Sequence, residues 1–174
     1  LRELAVRLSY FLWSAPPDEA LHQVVKKGTL NNPDELTRQV DRMLTDPKAE
    51  AFYHSFLSQW FELHRFDDIA VNPDEYLMFD EQVRYSAREE PIRLFEYLVK
   101  ENLSLTNLID SDFAMLDPLL AHFYGIRGVE GQGFRKVKLP PESPRGGLIG
   151  TTAFMIMGST GDRTSPIIRG TLVL

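Results

Sequence analysis

Apolar residues recur at helical spacing from the first position: Leu1, Leu4, Ala5, Leu8, Phe11 and Leu12. The pattern stops at Ser14-Ala15-Pro16-Pro17, so it predicts a first helix over about Arg2 to Trp13. A second is expected from about Asp18 to Lys27, with Gly28 as its left-handed terminator. Asn32-Pro33-Asp34-Glu35 reads as N-cap, proline at the first helical position and glutamate at the third, the spacing of a capping box. That helix carries Leu36, Val40, Met43 and Leu44 on one face, and Asp46-Pro47 opens a fourth that reaches about Leu63. On the fourth helix Phe52, Phe56, Trp60 and Leu63 form a stripe, widened by Tyr53, Leu57 and Phe61, and all of it reads as core.

From Arg65 to Met78 the periodicity fades, which predicts a loop. A long helix over about Asp80 to Glu101 follows. Pro91 inside it removes a hydrogen bond to the carbonyl of Ala87 and predicts a kink. Short helices are expected at Leu105 to Ile109 and at Pro118 to Tyr124, the second ended by Gly125. The chain then changes character, with Gly128, Gly131, Gly133, Pro140, Pro141, Pro144, Gly146 and Gly147 falling within 20 residues. Phe134 to Leu139 alternates as a strand does, with a partner expected near Leu148 to Thr152. Thr164-Ser165-Pro166 marks a last helix start. The expected fold is mostly α: an antiparallel helical domain over 1–127, divisible into 1–47 and 48–127. A Gly/Pro-rich, irregular segment with a short β element over 128–174 then leads into a truncated helix. Both ends read as cut, because helical spacing starts at Leu1 and Ile167, Ile168, Leu172 and Leu174 keep the last helix apolar without a C-cap.

Composition narrows the functional classes. The 174 residues suffice for a core without disulfides or metals. Nineteen basic against 25 acidic residues give a net charge of −6, which argues against a nucleic-acid partner. No stretch approaches the roughly 20 apolar residues of a membrane span. The absence of cysteine excludes disulfides, zinc–thiolate sites, thiol nucleophiles and covalent haem attachment within this chain.

Two segments carry candidate chemistry. Arg145-Gly146-Gly147 combines a guanidinium with glycines that permit close backbone approach, and Arg163-Thr164-Ser165 with Arg169 places two more at a helix start. Together they could bind a carboxylate, a sulfate or a haem propionate. The plainer reading makes Thr164 or Ser165 a cap and pairs the arginines with nearby acids. Among His22, His54, His64 and His122, no His-x-x-x-His or Glu-x-x-His pair occurs, so no metal site is expected. His122 is the candidate for a haem-facing or acid–base role, against a packing role. Asp110, Asp112 and Asp117 lack the spacing of a calcium loop, and Glu89 and Glu90 point in adjacent helical directions, not at each other.

Several stretches jointly resemble one family: Arg7-Leu8-Ser9-Tyr10-Phe11-Leu12-Trp13-Ser14, Gln39 to Pro47, Phe56-Leu57-Ser58-Gln59-Trp60, Leu120 to Ile126, Arg145 to Leu148 and Arg163 to Gly170. Their order is similar to that in domains of unknown function from large secreted planctomycete and verrucomicrobial proteins. Pro91 stands where such domains usually have threonine, Asp117-Pro118 replaces an asparagine-led helix start, and Gly158 to Asp162 replaces an asparagine- and proline-rich turn. The resemblance implies export to the periplasm or beyond, flanking domains of the same polypeptide as partners, and a cytochrome c module among them. The c-type haem would then sit in that other domain, with no cofactor in this chain.

The expected function is therefore a non-catalytic or partly catalytic module of an exported cytochrome c-linked protein, docking a haem domain or forming part of a substrate site. The alternatives are a hydrolase or oxidase domain acting on an extracellular polymer, and a scaffold. A single pocket holding His122, Arg163 and a carboxylate would favour an enzyme, and scattered positions would favour the module.

Overall fold

The computed structural model describes residues 1–173. The last apolar position read from the sequence, Leu174, lies outside the described residues. The fold is mostly helical with one small antiparallel sheet. The chain divides into two compact units, Leu1–Phe56 and Leu57–Leu174.

The first unit holds α1 (Arg2–Trp13), α2 (Glu19–Lys27), α3 (Pro33–Thr45) and most of α4 (Glu50–Trp60), which follows a 3-10 turn at Pro47–Ala49. Trp13 anchors it: the indole is buried and its Nε1 donates to the carbonyl of Met43 at 2.9 Å. The Lys48 ammonium lies 4.6 Å from the ring centroid, a cation–π contact. Asp18 caps α2 by accepting from the Leu21 amide, and it also receives two bonds from Arg42 at 2.8 and 3.2 Å. The Arg42 guanidinium and the Leu21 amide hold its carboxyl below the usual range against the opposing effect of burial, which is the largest single influence. Gly28 ends α2 in the left-handed region, as its place in the sequence predicts. Asn32 caps α3 by accepting from Asp34, but the capping box does not close. Its own amide donates to the Thr29 carbonyl, and Glu35 pairs with Arg38 instead.

α4 corrects one expectation. The line taken up by the core is Tyr53 and Leu57, with Phe52 at its margin, whereas Phe56 and Trp60 are 37% and 55% exposed. The buried face is rotated by one residue from the aromatic stripe, roughly 100° of helix. Tyr53 fixes this rotation by donating its hydroxyl to the Leu44 carbonyl at 2.8 Å.

In the second unit, α5 (His64–Asp68) occupies part of the stretch expected to be a loop. Its single apolar anchor is the buried Phe66, and Arg84 donates to the carbonyls of Phe66, Asp67 and Ile69 at 2.7 to 3.1 Å. A helix this short is invisible to periodicity because it completes barely one turn. The central element is α6 (Glu81–Lys100), which continues through Pro91 without interruption. It packs against α7 (Pro118–Phe123), α8 (Thr152–Met157) and the sheet. β2 (Arg135–Lys138) pairs antiparallel with β1 (Phe113–Leu116), in register Phe113↔Lys138 to Leu116↔Arg135. The predicted strand exists, but its partner is β1 rather than 148–152, which instead forms a 3-10 turn and the start of α8. β1 is buried at all four positions, so it shows no alternation to read. α9 (Pro166–Val173) closes the described chain.

Candidate functional site

The site forms where α6, α7, α8 and the two candidate segments meet. α6 presents Val83, Ala87 and Leu94 to the core, and Glu90 lies on the same buried face. Tyr124, immediately after α7, donates its hydroxyl to Glu90 Oε2 at 2.6 Å. The same carboxyl oxygen accepts the Thr152 amide at 3.2 Å, and the Thr152 hydroxyl donates to the Tyr124 oxygen at 2.8 Å. Burial is the dominant influence on Glu90 and raises its pKa to about 7, Asp117 adding to the rise, while Tyr124, Thr152 and Arg145 oppose it. Burial first, and then the Glu90 charge, push the Tyr124 hydroxyl well above its ordinary range, so it remains a neutral donor.

Arg145 lies flat on this network, its guanidinium carbon 3.4 Å from the Tyr124 ring centroid. Its Nη1 donates to the Gly150 carbonyl at 3.4 Å, a marginal bond. The glycines after it serve the fold. Gly147, at φ 63°, gives its amide to Ser111 Oγ at 3.0 Å, and Ser111 in turn donates to the Phe113 carbonyl. A Cβ at Gly146 would collide with the Ser111 carbonyl, and one at Gly147 with that of Ile109. The close approach these glycines permit is thus to the chain's own backbone, and it sets where Arg145 begins.

Arg145 and Arg169 both line a cavity of about 240 Å³. Its walls include Phe79, Phe123, Met155 and Ile156, with Thr152 and Thr164 beside the arginines. Arg169 packs along Gly158, where a Cβ would stand 3.2 Å from its own, and its buried Nε has no hydrogen-bond partner. Its Nη2 reaches only Thr164 Oγ1, at 3.5 Å. Among the described residues, neither Arg145 nor Arg169 forms an ion pair with a carboxylate. Two bonds join the 71–76 and 161–162 segments beside the cavity: Asn72 donates its amide to the Gly161 carbonyl at 3.2 Å, and Tyr76 its hydroxyl to that of Asp162 at 3.2 Å.

The structure therefore brings Arg145, Thr164 and Arg169 together. Ser165 caps α9, its hydroxyl accepting from the Ile168 amide at 3.4 Å. Arg163 is exposed and takes part through its carbonyl, which accepts from Thr160. His122 is exposed at the end of α7, outside the cavity lining although its neighbour Phe123 contributes to it. Asp117 caps α7 and accepts from Ser86. Among the described residues, no group of three or more His, Asp or Glu is placed to hold a metal ion. A wider cleft of about 600 Å³ also borders α6, but its charges answer one another, with Glu96 between Arg93 at 2.9 Å and Lys100 at 2.6 Å.

Residues 2–126 match the family described as protein of unknown function (DUF1592). The chain belongs to this family. The DUF1592 match covers α1 through α7, including Glu90, Tyr124 and the Phe79–Phe123 wall, and stops short of Arg145 and Arg169. No curated protein and no solved structure matches the chain.

Sequence reasoning weighed Glu90 only as a partner for Glu89, and missed Tyr124 and Thr152. A signal existed for the first. Glu90 stands three residues after Ala87 and four before Leu94, on the helix face that is otherwise apolar, where an ionised side chain would not be placed without partners.

Proposed function

We propose that this DUF1592 domain is a ligand-binding module that receives an anionic group between Arg145 and Arg169 and so forms part of a substrate site. The observation that carries this reading is two arginines, one with a buried Nε lacking a partner, lining one cavity whose lining includes no carboxylate. Guanidinium is well suited to a carboxylate, which it can grip through two parallel bonds. The separation of His122 and Arg163 from that cavity supports a binding or partly catalytic role over a self-contained hydrolase or oxidase.

The resemblance supports placing the module in an exported, cytochrome c-linked protein, in the periplasm or outside the cell. A cavity of about 240 Å³ cannot take a haem macrocycle, so a neighbouring haem domain would at most offer a propionate arm here. Saturation-transfer NMR on the intact protein with acetate tests the binding reading: signal is expected from the wild type and lost in Arg169→Gln with folding unchanged. Equal signal in both would reject it. An ultraviolet–visible spectrum of the intact protein before and after dithionite tests the other part, and absence of a c-type haem would reject the cytochrome link.

A further inference from the structure

The pocket has a size, a lining and a charge, and together they select among anions. We infer that its ligand is a hydrophobic monocarboxylate, an aromatic or branched aliphatic acid of about ten heavy atoms or fewer. This rests on the anion-binding reading and names the class of anion.

Charge sets the first limit. Arg145 and Arg169 both line the cavity, but the Glu90 carboxyl stands behind Thr152, which also borders it. One carboxylate can be shared by the two arginines, whereas the further oxygens of a phosphate or sulfate would be left against an apolar lining with few donors to satisfy them. The lining sets the second. Val71, Phe79, Phe123, Met155 and Ile156 supply apolar surface, with the Phe79 and Phe123 rings 5.7 Å apart.

The hydroxyls argue against a sugar. Thr152 donates to Tyr124, Ser159 donates to the Ile156 carbonyl at 2.7 Å, and Thr164 accepts from Arg169. The first two spend their protons on the protein, so a polyol would be stripped of water with few partners in exchange. Volume sets the last limit. An apolar cavity of about 150 Å³ holds benzene, so 240 Å³ accommodates a ring or branched chain with its carboxylate and excludes an oligosaccharide.

The test titrates the intact protein with acetate, 4-methylpentanoate and benzoate by saturation-transfer NMR, with inorganic phosphate as competitor. Affinity is expected to rise roughly fourfold per added buried carbon, phosphate is expected not to displace the acids, and Arg169→Gln is expected to abolish binding of all three. Ile156→Asn should weaken 4-methylpentanoate and benzoate by a larger factor than acetate. Equal affinity for acetate and the larger acids, or displacement by phosphate, would overturn the hydrophobic class yet leave the anion reading standing. Binding by none of the acids, or binding indifferent to Arg169→Gln, would overturn both.

Discussion

Glu90 occupies a position on α6 where its neighbours Ala87 and Leu94 are apolar, and its proton is held more tightly in the folded chain than in the unfolded one. The consequence for stability has a definite sign. With a folded pKa of about 7 against 4.5 for the free side chain, the contribution is fully present below about pH 4.5 and is lost as pH rises through 7. The loss by pH 8 is on the order of 3 kcal/mol. Glu90→Gln keeps an acceptor for Tyr124 and Thr152 and removes the titration, so urea midpoints at pH 5 and pH 8 should converge in the variant and differ in the wild type. An equal difference in both would show that another group carries the dependence. Glycines give a second residue-scale prediction. Gly28 and Gly147 both have positive φ, but a Cβ at Gly28 meets open space while one at Gly147 meets the Ile109 carbonyl. Gly28→Ala should cost about 1 kcal/mol, and Gly147→Ala clearly more. Thermal unfolding of the two variants decides it, equal melting temperatures being the contrary result.

At the scale of elements, the sequence was legible where a helix was long or opened on a proline-marked cap, and illegible where it was short and lacked that mark. α1, α2, α3 and α6 end within a residue or two of expectation because Pro16-Pro17, Gly28, Asn32-Pro33 and Asp80 are local signals. α5 and α8 are five and six residues long, too short for a period, and their places are set by tertiary partners. The same cause hid β1, whose pairing with β2 joins positions more than 15 residues apart. The candidate site was half legible for a related reason. Arg145 and Arg169 could be named from their motifs, but the aromatic wall and the Glu90–Tyr124–Thr152 network depend on which helices meet. α5 offers the test of such dependence. Its last carbonyls are held by Arg84, so Arg84→Met should raise amide exchange at 66–69 by tenfold or more, about 1.5 kcal/mol for lost charged hydrogen bonds. Unchanged exchange would mean that Phe66 burial alone holds the helix.

For the whole molecule, the family match and the cavity describe overlapping but different parts of the chain. DUF1592 accounts for residues 2–126, and with them the buried carboxyl and one aromatic wall. The arginines come from the segment beyond it, brought onto the same cavity by the Gly146-Gly147 turn and by α8 and α9. The cavity needs both parts of the chain at once, which is why neither the match nor the motifs identify it alone. The most direct measurement is a crystal structure of the intact protein grown with benzoate. A carboxylate bonded to both the Arg145 and Arg169 guanidiniums, with its ring against Phe79 and Phe123, is the predicted result. A cavity without ligand, with both guanidiniums turned onto carboxylates of the protein, would contradict the account.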